Sequence, residues 1–504
     1  MSNKYLKVPN SISYNSIVEK EYTLSSSQYM DLIMPNKNFL FVRNFLTRDL
    51  QRKDLGVEVG SLNYIGQSTH YFVRTKALQA HSFLPEITIE TALPIMPNSF
   101  VNMNLKQGDL LISKDSNIGE VVILDKDYPN FMLSGAIYRL PVIEKKYYLL
   151  AFIKHHIFRE QLDFMVPKGS TIRHAKTLFL DCKIPMPNHD PENTIKFVET
   201  LTKAIIVKEN LIKQRHKTIL SLIENEITNN QRSDIFTFEL PKLKEISEIG
   251  RLDTNLYGKY FKKEIFKIQN YIGGFKSFQD LGFKLIRGNN LAVSVIGSSV
   301  YSDIDYKNFY KLFLPKNISK YGTNIRSEYL GNPNKLITLK KGDIIFGAEG
   351  FEKGRSMVIF DDSQRNITNF HGMTIRQSTN NLNLTIYFKC LLDYLRDKGL
   401  IDLYATGGNG GSLSQSYWST IPFPMFDENK QKEIVSLYHN PTNSYMSDNI
   451  TLDNFIEKDD IFNKNAGICE LDKTAKQLKQ LLNQTIDNIT NDIETEINFN
   501  ILMS

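Results

Sequence analysis

Asp343 and Glu349, separated by five residues, could form part of a metal-assisted nuclease site, in which paired carboxylates hold a divalent cation. The plainer reading, and the one the sequence favours, is a turn aspartate followed by a loop glutamate. His155 and His156 are adjacent in a helix-like run, so their rings should face different sides and paired metal ligation is not expected. Gly273-Gly274 and the glycines at 407–411 do not form the Gly-x-Gly-x-x-Gly opening of a dinucleotide-binding helix and read as loops. No phosphate-binding Gly-x4-Gly-Lys-Ser/Thr sequence occurs, nor an Asn-Pro-Pro-Tyr or Asp-Pro-Pro-Tyr tetrapeptide of amino-methyltransferases. Cys182, Cys390 and Cys469 are too scattered for a zinc site or a disulfide framework and fit a reducing cytosol. The expectation is a chain with no catalytic residue, no metal and no cofactor of its own.

The elements that would position any site belong to an ordinary soluble composition. Of 504 residues, 41% are hydrophobic and 23% charged, which is enough apolar material for several cores. The polar N-terminus lacks a signal-peptide core and no apolar run reaches membrane-spanning length, so a cytoplasmic protein with no membrane partner is expected. The net charge of +6 permits local basic faces without requiring them.

The chain repeats itself. Leu105-Lys106-Gln107-Gly108-Asp109 and Leu339-Lys340-Lys341-Gly342-Asp343 are offset by 234, and each precedes an apolar strand. The shared Gly-Asp predicts a tight turn, with glycine at positive φ and aspartate bonding the turn backbone. In each half a second strand, a helix-like stretch and a Gly/Ser-bearing loop follow. Each half then closes on prolines, at Ile184-Pro185-Met186-Pro187 and Ile421-Pro422-Phe423-Pro424.

A helix is predicted after each proline pair. The first runs from about Pro191 to Thr228, with Asp190 as cap and Pro191 in the first helical position. Val198, Ile205, Ile212 and Ile219 form a heptad stripe, with Leu201 and Leu222 on d positions. Lys208 and Arg215 fall on the intervening d positions, which hints at a third partner or a restricted register. The second helix starts at Asp427, is interrupted by the polar stretch 440–470, and resumes through Leu471, Ala475, Leu478, Leu482 and Ile489, with Ile486, Ile493 and Ile497 on a shifted stripe.

Two divergent β-rich halves, each ending in Pro-x-Pro before a long helix, resemble the specificity (S) subunits of type I restriction-modification systems. The segments that carry the resemblance are 105–124 with 184–187, 339–360 with 412–424, and Arg251–Tyr257, which resembles the opening of a target-recognition domain. The resemblance implies an α+β chain. Target-recognition domains would occupy 1–189 and 233–425, alternating with a helix at 190–232 and a helical region at 426–504, the two helices packed as an antiparallel coiled coil. It implies a non-catalytic subunit that binds a bipartite, asymmetric double-stranded DNA target. Two methyltransferase (M) subunits would dock on it and restriction (R) subunits could join, with S-adenosylmethionine, ATP and Mg confined to those partners. The 440–470 insertion departs from the pattern and puts symmetric docking of M subunits in doubt.

Loops on a rigid scaffold, rich in groups that reach base edges or phosphates, give the DNA-contact candidates. In the first half they are Ser61, Asn63, Tyr64, Gln67, Ser68, His70 and Arg74, with Lys168, Ser170, Arg173 and His174. In the second half they are Lys276, Arg287, Arg326, Lys353, Arg355, Asn409, Ser412 and Gln415. The alternatives are a specificity subunit of a two-subunit type II enzyme, a nuclease or methyltransferase with diverged motifs, and a protein-only interaction scaffold.

Overall fold

The computed structural model describes residues 4–19, 22, 29–166, 176–252, 254–350, 352–407, 410–441 and 450–503. In the first half, strands β1 (Leu6–Lys7), β2 (Asp31–Leu32), β3 (Phe39–Phe41), β4 (Tyr71–Val73), β5 (Ala92–Pro94), β6 (Leu110–Ser113), β7 (Val121–Ile123), β8 (Phe131–Leu133), β9 (Ile137–Leu140) and β10 (Lys183–Pro185) accompany helices α1 (Tyr14–Glu19), α2 (Lys146–Lys154) and α3 (His156–Met165). The long helix α4 (Pro191–Asn229) follows.

The second half holds α5 (Leu243–Ile249), α6 (Lys259–Gln269), β11 (Phe275–Lys276), β12 (Phe283–Arg287), α7 (Val293–Ile296), β13 (Val300–Ser302), β14 (Tyr310–Phe313) and β15 (Glu328–Gly331). It continues through β16 (Ile344–Gly347), β17 (Ser356–Val358), β18 (Asn366–Thr368), β19 (Gly372–Gln377), α8 (Leu382–Asp397), α9 (Leu400–Tyr404) and β20 (Phe423–Pro424). Helices α10 (Glu428–Tyr438), α11 (Phe455–Asn465) and α12 (Ile468–Thr490) end the chain. The fold is α+β, and among the described residues no helix is long and apolar enough to cross a membrane.

Two compact units result. Unit 1 comprises 1–210, 444–464 and 473–504; unit 2 comprises 211–443 and 465–472. The two share one strand plan. In unit 1 the sheets are β7-β6-β9, antiparallel, and β5-β4-β8, in which β4 and β8 run parallel. In unit 2 they are β12-β19-β16-β17, antiparallel, and β13-β15-β14-β18, in which β14 and β18 run parallel. Strands β12 and β13 are additions at the sheet edges of unit 2. The place of β12 in unit 1 is taken by a single bridge, Leu55 to Tyr138.

The predicted turns form alike in both. Gly108 and Gly342 have φ of +83° and +86°, and the Asp109 and Asp343 carboxylates accept the N–H of Lys106 and Lys340 at 2.9 and 2.7 Å. The proline pairs are held alike too. The buried Tyr148 and Tyr387 hydroxyls donate to the Pro185 and Pro424 carbonyls at 2.7 and 2.8 Å, while β10 and β20 pair with β3 and β11. A buried proline-segment carbonyl left unbonded would cost about 1–3 kcal/mol, so each tyrosine fixes the point where its half hands over to a helix.

Alternation along β6 and β7 builds the core of unit 1. Leu110, Ile112, Val121 and Ile123 face one cluster with α2, α3, α4 and α12, and Leu111 and Val122 face another with β4 and β8. Here α4 packs against α12 in antiparallel sense. His189, just before α4, approaches Asp492, just after α12, at 3.8 Å; Glu209, farther along α4, meets Lys479 at 2.6 Å.

Asp190 sits at φ +40° and accepts from the Asn193 side chain, and its carbonyl accepts the Thr194 N–H. The heptad positions Val198, Leu201, Ile205 and Ile212 are buried. Beyond Ile212 the buried stripe runs His216, Ile219, Ile223, Ile227, while Leu222 is half-buried. Ile219 thus keeps its place in the heptad row, and only the second buried row moves, from the d positions to His216 and Ile223, one residue on. Helix α12 ends at Thr490, so Ile493 lies past it and is exposed; the seam ends at Ile486 and Ile489.

The 440–470 stretch is not a simple interruption. It contributes α11, which supplies Asp459 and Asn463 one turn apart to the fully buried Lys208. The Lys208 ammonium donates to Asp459 at 2.5 Å and to Asn463 at 2.8 Å, and Asn463 donates to Asp459 at 2.8 Å. The lysine on a d position therefore has a third helix as its partner within unit 1.

A second buried lysine, Lys154, donates to the Gln79 carbonyl at 2.7 Å and lies 3.8 Å from Glu120. Burial, only partly offset by Glu120 and Glu209, pushes its ammonium down to about 8. Between that pH and the ordinary lysine value of about 10.4, the folded chain binds fewer protons than the unfolded one, so stability rises with pH across the window. Replacing Lys154 by Met should remove this rise. Urea unfolding at pH 7 and pH 10.5 should show the wild-type-minus-variant stability difference climbing by about 3 kcal/mol with pH; parallel behaviour would contradict the burial argument.

Candidate nucleic-acid interface

The polar candidates of unit 1 lie on the stretch that leads into β4 and just past it, with Asn63, Ser68 and His70 half-buried. Ser61 and Asn63 occupy a 3-10 turn, and Tyr64 bridges to Ile95, its ring against Phe72 and its hydroxyl on the Val59 carbonyl. Gln67 is exposed, the Ser68 hydroxyl accepts the His70 N–H, and the His70 ring lies 4.4 Å from Phe100. Arg74 is exposed just past β4. These residues border the β5-β4-β8 sheet, which sets their backbone. Lys168, Ser170, Arg173 and His174 of this unit, and Asn409 of the other, lie outside the described residues.

In unit 2 the candidates separate into two kinds. Lys353 and Arg355 are held inward. Lys353 meets Asp402 at 2.6 Å and donates to the Gly410 carbonyl; Arg355 pairs with Glu352 and donates to the Ile318 carbonyl at 3.1 Å. Both work as loop braces, a role invisible in sequence because their partners lie at least 37 residues away, save Glu352. Arg326 is exposed but paired with Asp303 at 2.5 Å, and Lys276 and Gln415 are exposed at separate places on β11 and after Ser414.

Arg287 and Ser412, by contrast, converge with two residues the candidate set missed. Strands β12 and β16 both end where β19 begins. Arg287 closes β12, Glu349 follows β16 by two residues, and His371 precedes β19. The His371 Nδ1 and a Glu349 carboxylate oxygen are 2.6 Å apart, and the other carboxylate oxygen lies 3.8 Å from the Arg287 guanidinium. Ser412 bridges to Glu349, and Gly350 donates to the Gly411 carbonyl, so the glycine-rich loop is stitched to this one. Gly288 lets the backbone close up: a Cβ there would lie 2.0 Å from the Asn369 carbonyl oxygen. His371 could have been suspected from the repeat, since the turn it occupies precedes the strand equivalent to β9.

Asp343 does not join Glu349 in a metal site. It is buried, bound by Arg376 at 2.7 Å through both oxygens, and accepts the turn N–H of Lys340.

His155 and His156 correct the expectation that they face apart. The helix breaks at His155, which ends α2 and caps α3, and the two rings come within 3.9 Å of each other. Both approach Asp487, at 3.4 and 3.9 Å. The Tyr5 hydroxyl donates to the same carboxylate oxygen that both rings approach, and Lys4 engages the other oxygen at 2.5 Å. Burial of His156, with His155 beside it, pushes its imidazolium down to about 4. The cluster ties the first strand and α3 to α12.

Arg251–Tyr257 is likewise an anchor. The buried Arg251 donates to the Tyr404 carbonyl at 2.7 Å, and the Tyr257 hydroxyl donates back to the Arg251 carbonyl at 2.6 Å.

No protein-family model and no curated protein matches the chain. Among solved structures, the S subunit of the type I restriction-modification system of M. genitalium is similar over 92% of this chain and 96% of its own, at 12% identity and a TM-score of 0.37. A chain from a type I R-M system studied for complex assembly and conformational transition is similar over 91% and 99%, at 11% identity and a TM-score of 0.27. The HsdS subunit of Thermoanaerobacter tengcongensis is similar over 90% and 97%, at 10% identity and a TM-score of 0.24. What the chain resembles, over at least nine-tenths of its length, is the specificity subunit of type I restriction-modification systems.

Proposed function

We propose that this chain is the DNA-sequence-recognition subunit of a type I restriction-modification assembly and carries no catalysis itself. The observation that supports this most is the duplicated strand plan. Each copy ends on a tyrosine-held proline segment that feeds a helix, while the loops at the strand ends differ. Shared scaffolds with unlike loops suit two readers of unlike half-sites, and so a bipartite, asymmetric double-stranded DNA target. The domains at 1–189 and 233–425 are assigned the reading, and the helices at 190–232 and 426–504 the docking of two methyltransferase subunits, with restriction subunits able to join. S-adenosylmethionine, ATP and Mg belong to those partners, and the site of action is the cytoplasm.

The reading is tested by DNA binding of the chain co-expressed with its methyltransferase subunit. Affinity for its own target should fall steeply and log-linearly with salt, because neutralised phosphates release counterions. It should exceed affinity for unrelated DNA by at least about a thousandfold at physiological salt. Equal binding to all sequences, or none, would refute the proposal. Lys353 and Arg355, braced inside the loop, should contribute to stability more than to the salt slope.

A further inference from the structure

We propose that Glu349 and Arg287 together read one cytosine–guanine pair in the major groove of the second half-site, with His371 as the residue that positions the carboxylate. This rests on the DNA-recognition reading above and names the base pair it would see.

The three side chains lie at one end of one sheet: Arg287 is the last residue of β12, Glu349 lies two residues past β16 and His371 immediately before β19. That end is stiff. Arg287 pairs in register with Met373 and Gly347 with Gly372, the Phe370 ring lies 3.8 Å from His371, and the Gly288 backbone sits against Asn369. Arg287 and His371 are exposed and Glu349 is partly so. Holding one carboxylate oxygen with His371 leaves the other facing solvent beside Arg287, at 3.8 Å, beyond hydrogen-bond distance.

The chemistry narrows what such a pair can bind. A carboxylate only accepts hydrogen bonds, and phosphate repels it, so at a DNA surface it must meet a base amine. A guanidinium only donates, in a fork. The cytosine–guanine pair offers both within one base step: the cytosine N4 amine for Glu349, and guanine O6 and N7 for Arg287. An adenine–thymine pair also offers an amine, but its two acceptors, adenine N7 and thymine O4, flank that amine from opposite sides and do not form the adjacent N7/O6 edge that fits a guanidinium fork. A divalent metal is disfavoured because Arg287 already supplies the neighbouring positive charge.

The internal repeat supports the position. Asp115 stands six residues after the turn Asp109, as Glu349 does after Asp343. Asp115 is instead paired with Lys114 at 2.7 Å, with both side chains largely buried. The same place in the two units thus carries an acid in two different settings, as two unlike readers would require.

The test is mapping of methylated sites, and binding to duplexes randomised across the half-site, for the full chain with its methyltransferase partner. Glu349→Ala and Arg287→Ala should each relax one and the same position, cytosine–guanine in the wild type, by about tenfold to a hundredfold. His371→Asn, which keeps a donor near Nδ1, should retain discrimination, and His371→Phe should lose it. Matching thermal unfolding of Glu349→Gln and wild type serves as the folding control. If the wild type reads a bipartite target and the Glu349 and Arg287 variants read it unchanged, this inference is wrong while the recognition function stands. If the wild type shows no sequence preference, both fall.

Discussion

Replacing Asp459 by Ala should destabilise unit 1 by about 3–5 kcal/mol, the cost of leaving one buried charge without its partner. Lys208 is fully buried, and its ammonium donates to Asp459 and Asn463 and lies 5.0 Å from the centre of the Phe462 ring. Burial lowers the affinity of that ammonium for its proton, with Asp459 opposing the effect. Removing the carboxylate therefore leaves a charge with no solvent to turn to. The converse substitution separates pairing from packing. Lys208→Met with Asp459→Leu and Asn463→Leu should unfold within about 1 kcal/mol of the wild type or be more stable, because apolar residues of similar volume replace buried ion pairs well. Urea unfolding of the three proteins settles the order. A single Asp459→Ala variant as stable as the wild type would show that α11 does not anchor α4.

That triad also marks how far the sequence could be read. Lys208 on a d position signalled a further partner, but nothing in a polar, proline-containing stretch announced that the partner would be α11. Asp459 and Asn463 become meaningful only when a lysine about 250 residues earlier is brought against them. The local signals fared better. Gly-Asp turns, the proline at the start of α4 and the start of α10 beside Asp427 depend on neighbours within four residues, and each lies where its chemistry predicts. The row from Val198 to Ile219 is buried as the heptad predicts, and past Ile212 only its companion row moves, from Leu222 to His216 and Ile223, as a helix drifts from a strict seven-residue repeat. His155 and His156 were misjudged because the helix break between α2 and α3 is set by packing rather than by a proline or glycine.

Among the recognition candidates the same division holds. Residue type picked out Arg287 and Ser412, which gather at a strand end, but could not separate them from Lys353 and Arg355, whose charges are matched inside the loop. Glu349 was noticed as an acid with catalytic spacing from Asp343. The structure detaches it from Asp343, which Arg376 occupies, and joins it to His371 and Arg287.

If each half reads its own stretch of DNA, a single exchange should have a large effect. Residues 233–425 contain the sheets β12-β19-β16-β17 and β13-β15-β14-β18, their own buried clusters, and the Trp418 ring packed on Phe278 and Phe346. The segment meets the helices that flank it through Tyr394 to Glu224 of α4 and Gly322 to Tyr438 of α10, so a corresponding segment that keeps those contacts can replace it without disturbing the β6 and β4 sheets of unit 1. The measurement is the set of methylated sites in the DNA of cells that carry the exchanged chain with its methyltransferase partner. One half-site should change completely while the other remains that of the parent. Simultaneous change of both half-sites would show a single composite reading surface and contradict two independent readers.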